Sequence, residues 1–238
     1  GLASWNRRSY EYYAALTWLS NHSPANVDFV SRRVLALGPG GQSVDRDIDF
    51  LSAVQSLNLA APGNGGLGLN AGYQGSPLDT ALALQAYTQA AATADVSASI
   101  TSLKNAQLTG SDKGWVIGQE TSSDPIITAQ VLIALMPYRG SDPTLVTPIA
   151  NGLAALNAKV GTSSATVKKA LSALANFRDN ASSSQAATLL GNLVATQGAD
   201  GSWGGDVQAT AVTLRALAAG AGRDVPSLRT PVLVADDK

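Results

Sequence analysis

Cysteine is absent from the 238 residues, and histidine occurs once. Without cysteine the chain has no disulfide framework, no thiolate nucleophile and no Cys-ligated zinc. The one histidine, His22, stands in the polar stretch SNHSPAN between two predicted helices, where a solvated side chain is the expected state. A Ser-His-Asp set would have to use this loop residue, so none is predicted, and neither a metal centre nor a cofactor is predicted.

Charge is scarce as well, with 14% charged residues and a formal net charge of −1. A near-neutral chain lacks the clustered basic face that nucleic acid or an anionic membrane surface requires. The longest apolar runs, such as Ile126 to Met136, fall short of the roughly 20 residues that cross a bilayer. Neither a nucleic-acid partner nor a membrane span is therefore predicted.

An internal repeat is what the chain does contain. Five segments with the same succession of small and large apolar residues end about 40 to 50 residues apart. They are 30–37, 80–87, 128–135, 167–174 and 210–217. Further stretches with helical apolar spacing lie between them, at 45–59, 97–108, 145–156 and 184–195. The sequence predicts an all-α fold of about ten helices in five pairs.

Glycine-rich turns that carry one large apolar residue precede three of these helices. They read GGLGL at 65–69, KGWVI at 113–117 and GSWGG at 201–205. Glycine permits a tight reversal of the chain, and the large residue is expected to pack over the helix ends. The glycine runs at 38–41 and 63–68 follow no predicted strand, so they are predicted as turns rather than phosphate-binding loops.

One of these turns carries a family motif. The residues that match the pattern QxxDGSW are Gln197, Asp200, Gly201, Ser202 and Trp203. This QW motif is found in squalene–hopene and oxidosqualene cyclases, and the chain resembles the prenyltransferase and squalene-oxidase repeat group over roughly residues 14–220. The resemblance implies an α/α toroid, or an open arc, in which inner helices surround a central cavity.

The resemblance also implies structural roles for the motif residues. Gln197 is expected to hydrogen-bond at a helix end, with Trp203 stacked beside it and Asp200 and Gly201 shaping the turn. Trp115 belongs to a degenerate copy of the same motif. All of these residues are predicted to brace the fold rather than to bind a ligand.

The chemistry of the family is not fully represented in the chain. Class II terpene cyclases of this group protonate an alkene with an aspartate in a DxDD stretch, and the matching segment 76–81, SPLDTA, keeps only Asp79. Asp28 holds a similar place in the first unit. Neither has the adjacent acid that tunes a strong proton donor, so each is a candidate only for a lone catalytic acid. The zinc site of protein prenyltransferases and the thioester of complement-type domains both need the missing cysteine.

Four aspartates fall near the starts of predicted inner helices, namely Asp28, Asp79, Asp124 and Asp206. In a closed ring they would share one rim of the central cavity, where they are candidates to bind a cation or a polyol. Helix capping explains each of them singly. Tyr87 is predicted to line the cavity below this rim.

Two further features have structural interpretations. The acidic stretch DRDID at 45–49 is interpreted as first-turn charge, which the unpaired N–H groups of a helix N-terminus favour. The N-terminal aromatic residues Tyr10, Tyr13 and Trp18 are interpreted as a packing face or a contact with a flanking domain.

We therefore predict a non-catalytic module that binds a ligand or a protein, within a larger exported bacterial protein. Its partner is expected to be a small apolar or polyol molecule or another protein. The alternative is a divergent terpenoid cyclase or isoprenoid-processing enzyme with a lone acid in an apolar cavity. A carbohydrate-active enzyme ranks last, because no predicted inner helix carries two acids facing the cavity.

The ends of the chain suggest a piece of a longer protein. It begins Gly-Leu-Ala rather than with Met, and a stretch rich in β-branched residues follows the alanine-rich body. The predicted organisation is a repeat domain over 1–222 and a tail or linker over 223–238.

Overall fold

Ten α-helices make up most of the residues that the computed structural model describes, which are 10–59, 65–92, 96–179 and 183–220. In chain order they are α1 (Tyr10–Asn21), α2 (Val27–Leu37), α3 (Asp45–Leu59), α4 (Pro77–Ala90), α5 (Val96–Asn105), α6 (Pro125–Leu135), α7 (Val146–Lys159), α8 (Thr166–Arg178), α9 (Ser183–Ala195) and α10 (Val207–Gly220). Short 3₁₀ turns follow α2 and α6 and precede α7. Within these ranges there is no strand, so the all-α prediction is confirmed.

The chain divides into two compact units between Lys159 and Val160. The first unit contains α1 to α7, and the second contains α8 to α10. The predicted boundary at residue 222 and the tail 223–238 lie outside the described residues, as do residues 63 and 64 of the predicted turn at 63–68. Of the ten described helices, none combines the length and the apolar character that crossing a bilayer requires.

Short polar side chains start three of the helices. Asn26 accepts a backbone N–H of the first turn of α2 at 2.9 Å, and Ser76 accepts the N–H of Asp79 at 3.0 Å. Asp124 accepts the N–H of Ile127 at 3.1 Å. Proline occupies the first helical positions of α4 and α6, where its missing N–H costs no hydrogen bond.

The helix bounds follow the hydrophobic periodicity closely, and two of the predicted segments differ from the structure by more than one residue at one end. The predicted helix at 97–108 ends at Asn105, because the N–H of Leu108 bonds the Gly114 carbonyl at 3.1 Å instead of continuing the helix. The predicted helix at 145–156 begins at Val146 and continues to Lys159. The segment Asp45–Leu59 has the predicted bounds.

In the first unit α2 and α4 pack side by side and run parallel. At their starts, Asp28 acts electrostatically on Asp79. At their ends, Gly38 directly after α2 lies close to Gln89 in the last turn of α4. A Cβ built on Gly38 would lie 3.3 Å from the Cγ of Gln89.

Helices α4 and α6 are parallel neighbours in the same way. The Nε2 of Gln85 donates to the Oε1 of Gln130 at 3.0 Å, and both side chains are buried. Beyond them, the hydroxyls of Thr88 and Tyr138 lie 2.8 Å apart near the C-terminal ends. Three helices separated in sequence by α3 and α5 therefore form one row.

Each helix of this row packs more extensively against the helix that follows it than against the one that precedes it. Thus α4 packs on α5, and α6 packs on α7. In the first unit the glycine-rich turns therefore connect successive hairpins.

Helices α4 and α6 have no solvent-facing stripe along their middle. Nine consecutive residues are buried in α4, from Asp79 to Tyr87, and nine in α6, from Ile127 to Leu135. Alanine between leucines permits this close packing on every side. A helix that is apolar all round is expected in a protein interior.

The second unit repeats the pattern with α8 at its centre. Helix α8 packs against both α9 and α10, and nine consecutive residues, Lys169 to Phe177, are buried. The Nζ of Lys169 donates to the Oδ1 of Asn192 at 2.6 Å, so this buried ammonium ends on a polar partner. A Cβ on Gly220 would come within 2.8 Å of the Phe177 ring, which places the ends of α8 and α10 side by side.

Candidate functional site

Three glycine-rich connections precede α4, α6 and α10, and we call them the first (residues 65–76), second (106–124) and third (196–206) connections. In the second, the indole Nε1 of Trp115 donates to the Leu103 carbonyl at 2.7 Å. Leu103 belongs to the last turn of α5, whose carbonyls lack a partner within the helix. The backbone N–H of Trp115 donates to the Oγ1 of Thr128 in α6 at 3.0 Å. Trp115 is 0% exposed and ties α5 to α6.

The third connection has the same arrangement. The Nε1 of Trp203 donates to the Leu193 carbonyl in the last turn of α9 at 2.7 Å, and its backbone N–H donates to the Oγ1 of Thr210 in α10 at 3.1 Å. Gln197 donates to the Gly201 carbonyl at 2.8 Å. The Gln197 bond therefore closes its own turn, whereas the sequence analysis placed it at a helix end.

The first connection keeps the backbone part of the arrangement with leucine in the tryptophan position. The N–H of Leu67 donates to the Oγ1 of Thr80 in α4 at 2.9 Å, and this hydroxyl lies 3.2 Å from the Leu67 carbonyl, which accepts from it. Leu67 is 0% exposed. A threonine hydroxyl in the first or second turn of the following helix thus satisfies a buried loop in all three connections.

Glutamine links successive hairpins in the first unit. The Nε2 of Gln55 donates both to the Gly65 carbonyl at 3.2 Å and to the Oγ of Ser99 in α5 at 2.8 Å. The Nε2 of Gln107 donates to the Lys113 carbonyl at 2.7 Å and to the Pro148 carbonyl in α7 at 2.9 Å. Each amide therefore bonds the connection that follows it and a helix beyond that connection, which is α5 for Gln55 and α7 for Gln107.

A lysine and an aspartate hold the second connection closed. The carboxylate of Asp112 accepts a hydrogen bond from the Nζ of Lys159 at the end of α7. It also accepts hydrogen bonds from the Oγ of Ser123 at 2.6 Å and from the backbone N–H of Ser123 at 2.8 Å. Burial alone would raise the pKa of Asp112, but the hydrogen bonds from Lys159 and Ser123 outweigh burial and hold the pKa well below its ordinary value. Lys159 also donates to the Ser123 carbonyl at 2.7 Å.

The two candidate acids, Asp28 and Asp79, come together at the parallel starts of α2 and α4. Asp79 is 8% exposed and accepts the Oγ of Ser76 at 2.6 Å. Burial is the largest influence on the pKa of the Asp79 carboxyl and raises it, and the nearby Asp28 carboxylate raises it further. The Ser76 hydrogen bond and the Arg32 guanidinium lower the pKa, but the net shift is upward. Asp28 itself is paired with Arg32 one helical turn away.

The other predicted rim residues serve local backbone roles. Asp124 caps α6, and the Oδ1 of Asp206 accepts the N–H of Ala209 in the first turn of α10 at 2.6 Å. Asp200 accepts the N–H and the hydroxyl of Ser202 at 3.0 and 2.9 Å, and these bonds lower the pKa of Asp200.

Tyr87, which was predicted to line the cavity, is packed in the apolar core. It is 1% exposed and belongs to the apolar core of the first unit, and burial raises the pKa of its hydroxyl to about 12. The core residues packed with it are Val27, Val30, Val34, Leu51, Val54, Leu67, Ala83 and Ala86.

The N-terminal aromatics lie on the surface, with Tyr10 83%, Tyr13 54% and Trp18 58% exposed. The His22 ring stacks on Trp18, and its Nδ1 lies 2.6 Å from the Trp18 carbonyl. The loop position predicted for His22 agrees with this placement directly after α1. Among the described residues no group of three or more His, Asp or Glu side chains is placed to hold a metal ion.

A buried ion pair that the sequence analysis did not identify stands beside a cavity in the first unit. The Nη1 of Arg33 in α2 lies 2.7 Å from the Oδ2 of Asp47 in α3, and the side chains are 12% and 9% exposed. The cavity measures about 460 Å³ and is lined by the end of α1, by α2 and by the start of α3. The sequence analysis interpreted Asp47 as a charge in the first turn of a helix. No sequence signal indicates that its partner is Arg33, 14 residues earlier on the neighbouring helix.

The arrangement of these side chains provides many structural hydrogen bonds, two buried carboxyls whose pKa is raised by burial, Asp47 and Asp79, and a polar cavity beside Asp47. Comparison of the chain with protein-family models, curated proteins and solved structures gives no match.

Proposed function

We propose that the chain is a non-catalytic module that binds a ligand or a protein partner, with its helix hairpins arranged as an α/α toroid or open arc of the prenyltransferase and squalene-cyclase kind. We further propose that it belongs to a larger exported bacterial protein. One observation carries the non-catalytic role. The glutamines, tryptophans and threonines of the connections all bond backbone groups or neighbouring helices, so these side chains hold the fold together.

The burial of the row helices supports the same proposal. An enzyme that folds a polyprene around a cation needs an apolar cavity large enough for the substrate. The middle of α4 and of α6 is instead buried on all sides over nine residues each. Gln85 and Gln130 meet within this buried layer, where they place amide groups rather than an apolar or aromatic wall.

A second candidate function has one specific observation in its favour. Asp79 is nearly buried, has a raised pKa and interacts with the Asp28 carboxylate, which partly replaces the acid pair that the sequence lacks. A raised pKa favours the protonated form of a carboxyl, which is the form that a general acid requires. This candidate is a terpenoid cyclase or isoprenoid-processing enzyme with Asp79 as the proton donor.

The two candidates are separated by incubating the purified chain with squalene and with geranylgeranyl diphosphate, followed by mass spectrometry of the extract. The non-catalytic proposal predicts that both compounds are recovered unchanged. A cyclic product that disappears in Asp79→Asn would overturn it in favour of the enzyme. Asp124→Asn is the matched control, because asparagine caps a helix as well as aspartate does and its fold is expected to be retained.

The toroid part of the proposal is tested by one distance. The chain has no cysteine, so Phe29→Cys and Val207→Cys introduce two unique labelling sites. Both positions are exposed, in the first turns of α2 and α10. With neighbouring inner helices about 10 Å apart, a closed ring brings spin labels at these sites within about 20 Å, whereas a straight row of five helices separates them by about 40 Å. A distance near the larger value would contradict ring closure.

A further inference from the structure

Helix α1 is attached to the first unit through only a few of its residues. Of its twelve residues Leu16 alone is buried, Tyr12, Leu19 and Ser20 are half-buried, and the remainder are exposed. In α4 and α6, by contrast, nine consecutive residues each are buried. Because tertiary packing supplies most of the stability of a helix in a protein, α1 is held more weakly than the helices of the row.

One contact of α1 is with the 3₁₀ turn that follows α2. Gly40 lies in this turn, and a Cβ built on it would come within 2.7 Å of the Cδ1 of Leu16 and within 3.1 Å of the hydroxyl oxygen of Tyr12. Gly40 is not among the glycines with a positive φ, so its backbone conformation suits any residue. Glycine is therefore needed here for the close approach of α1.

The other contact is a side chain of α2 that caps the C-terminal end of α1. Arg33 donates through Nε to the Leu19 carbonyl at 2.8 Å and through Nη2 to the Ser20 carbonyl at 2.9 Å. Carbonyls in the last turn lack partners inside their helix, and a positive charge is favoured beside them. The Nη1 of the same guanidinium is held by Asp47 of α3. The cap on α1 therefore depends on a carboxylate of a third helix.

The docked position of α1 also carries a cost. The Oγ of Ser20 is buried and has no hydrogen-bond partner among the described residues. A buried hydroxyl without a partner is unfavourable, because in water it would be fully hydrogen-bonded. Separation of α1 from α2 returns this hydroxyl to water, which offsets part of the contacts that are lost.

Separation of α1 would also open the cavity of about 460 Å³. Helix α1 and the loop after it supply Ser20, Ser23 and Pro24 to its lining. The rest of the lining belongs to α2, α3 and the loop between them, and includes Val30 and Phe50. Without α1 the cavity would become an open groove along α2 and α3.

We propose that α1 is a releasable strap, which separates from α2 as a unit while α2 to α7 stay folded and so controls access to this groove. The Gly40 contact and the Arg33–Asp47 pair set how often it opens. Elements with few buried apolar contacts open locally at a lower free energy than the whole domain. The inference goes beyond the proposed function, because the opening requires no ligand and no partner.

The first test is native-state hydrogen exchange of the backbone amides, followed by NMR. We expect the amides of residues 14–21, which bond within α1, to exchange at least about 100-fold faster than those in the middle of α4 and α6. Their rates should depend only weakly on low concentrations of urea, because opening of α1 exposes little surface. Equal rates with the same urea dependence in all three helices would overturn the proposal.

Two substitutions test the contacts that hold the strap. Gly40→Ala pushes against Leu16 and should speed exchange in α1 at least about tenfold through overpacking. Asp47→Asn weakens the support of Arg33 and should speed it at least about threefold, since a charge-assisted bond becomes a neutral one. Exchange in α6 reports the stability of the rest of the unit and should change less than exchange in α1 in both variants.

Gly140→Ala is the matched control for the glycine substitution, because nothing lies within 4 Å of the added atom. It should leave exchange in α1 unchanged. Equal acceleration of α1 and α6 in Gly40→Ala and Asp47→Asn would contradict separate opening of α1, and unchanged exchange in both variants would contradict the contacts assigned to it.

Failure of this inference is distinguishable from failure of the proposed function. If α1 opens only together with the whole unit, the non-catalytic proposal still stands. Turnover of squalene or of the diphosphate would overturn the proposed function whatever the exchange rates of α1.

Discussion

The indole N–H of Trp115 bonds the carbonyl of Leu103 at 2.7 Å, so that a residue of a loop completes the last turn of the preceding helix. The last four carbonyls of a helix have no partner inside it, and this one is buried where water does not reach it. The same bond recurs between Trp203 and Leu193 at the same length. At Trp115 the indole therefore contributes its N–H as well as its size, whereas the Leu193 carbonyl also accepts from the Thr196 hydroxyl at 3.1 Å.

Replacing this tryptophan with phenylalanine separates the two contributions. Trp115→Phe keeps much of the apolar contact but leaves the Leu103 carbonyl unpaired, so we expect a loss of about 1–3 kcal/mol in the free energy of unfolding, plus the cost of the smaller ring. Trp203→Phe makes the same change of ring, but the Leu193 carbonyl keeps the hydrogen bond from the Thr196 hydroxyl, so a smaller loss is expected there. Urea unfolding measures both. An unchanged midpoint for Trp115→Phe would contradict the role given to the indole.

Gly152 in α7 packs directly against Trp115. A Cβ added there would lie 2.4 Å from the Cζ3 of Trp115 and 3.1 Å from the Cδ2 of Leu132. Gly152→Ala is therefore expected to destabilise by about 1–3 kcal/mol through overpacking, although alanine is the better helix former.

The matched control for this substitution is Gly191→Ala in α9, where nothing lies within 4 Å of the added atom. It is expected to stabilise its helix by about 0.5–1 kcal/mol. Thermal unfolding of both variants checks the pair. Opposite signs are the prediction, and stabilisation by both substitutions would show that α7 does not approach Trp115 so closely.

Asp79 gives stability a specific dependence on pH. Because its pKa is raised in the folded state, the folded chain binds more protons than the unfolded chain above the ordinary value of 3.8. The Asp79 contribution therefore favours folding at low pH and is lost as pH rises through the folded pKa. Asp79→Asn removes this term, so its stability relative to wild type should increase from pH 3 to neutral pH. Parallel stability curves over that range would contradict the burial of a charged carboxylate.

Asp112 has the opposite dependence, since its pKa is lowered in the folded state. Its contribution is complete above 3.8 and is lost as pH falls toward the folded pKa. Asp112→Asn is therefore expected to be less stable than wild type at neutral pH, with the difference closing in acid. Acid unfolding of both proteins, followed by circular dichroism, measures this difference in stability. A difference that widens in acid would rule out the Lys159 and Ser123 bonds as the source of the lowered pKa.

Much of the local fold could be predicted from the sequence, because helix periodicity and capping residues are short-range signals. The bounds of α3 and the capping serine and aspartate of α4 and α6 follow from neighbouring residues alone. Which helices pack together could not be read in the same way, because contacts between distant parts of the chain decide which neighbours each helix covers.

Long-range side-chain contacts were the hardest features to predict. Gln55 reaches Ser99 and Gln107 reaches Pro148 more than forty residues away along the chain. Only a row of stacked hairpins brings such residues together. The Arg33–Asp47 pair illustrates the same limit, since either residue alone reads as an ordinary surface charge. The approach of Asp28 to Asp79 was predictable only to the extent that the repeat was recognised.

The most direct test of this account is the amide hydrogen exchange of Leu67, Trp115 and Trp203. All three N–H groups lie in loops, and each donates to a threonine hydroxyl of the following helix. If the three connections are copies of one brace, each amide exchanges at least about 100-fold more slowly than an open loop amide, and Thr128→Val removes the protection of Trp115 while Thr128→Ser retains it. Exchange of all three at the rate of an unstructured chain would contradict the repeat and the structural role assigned to its motif.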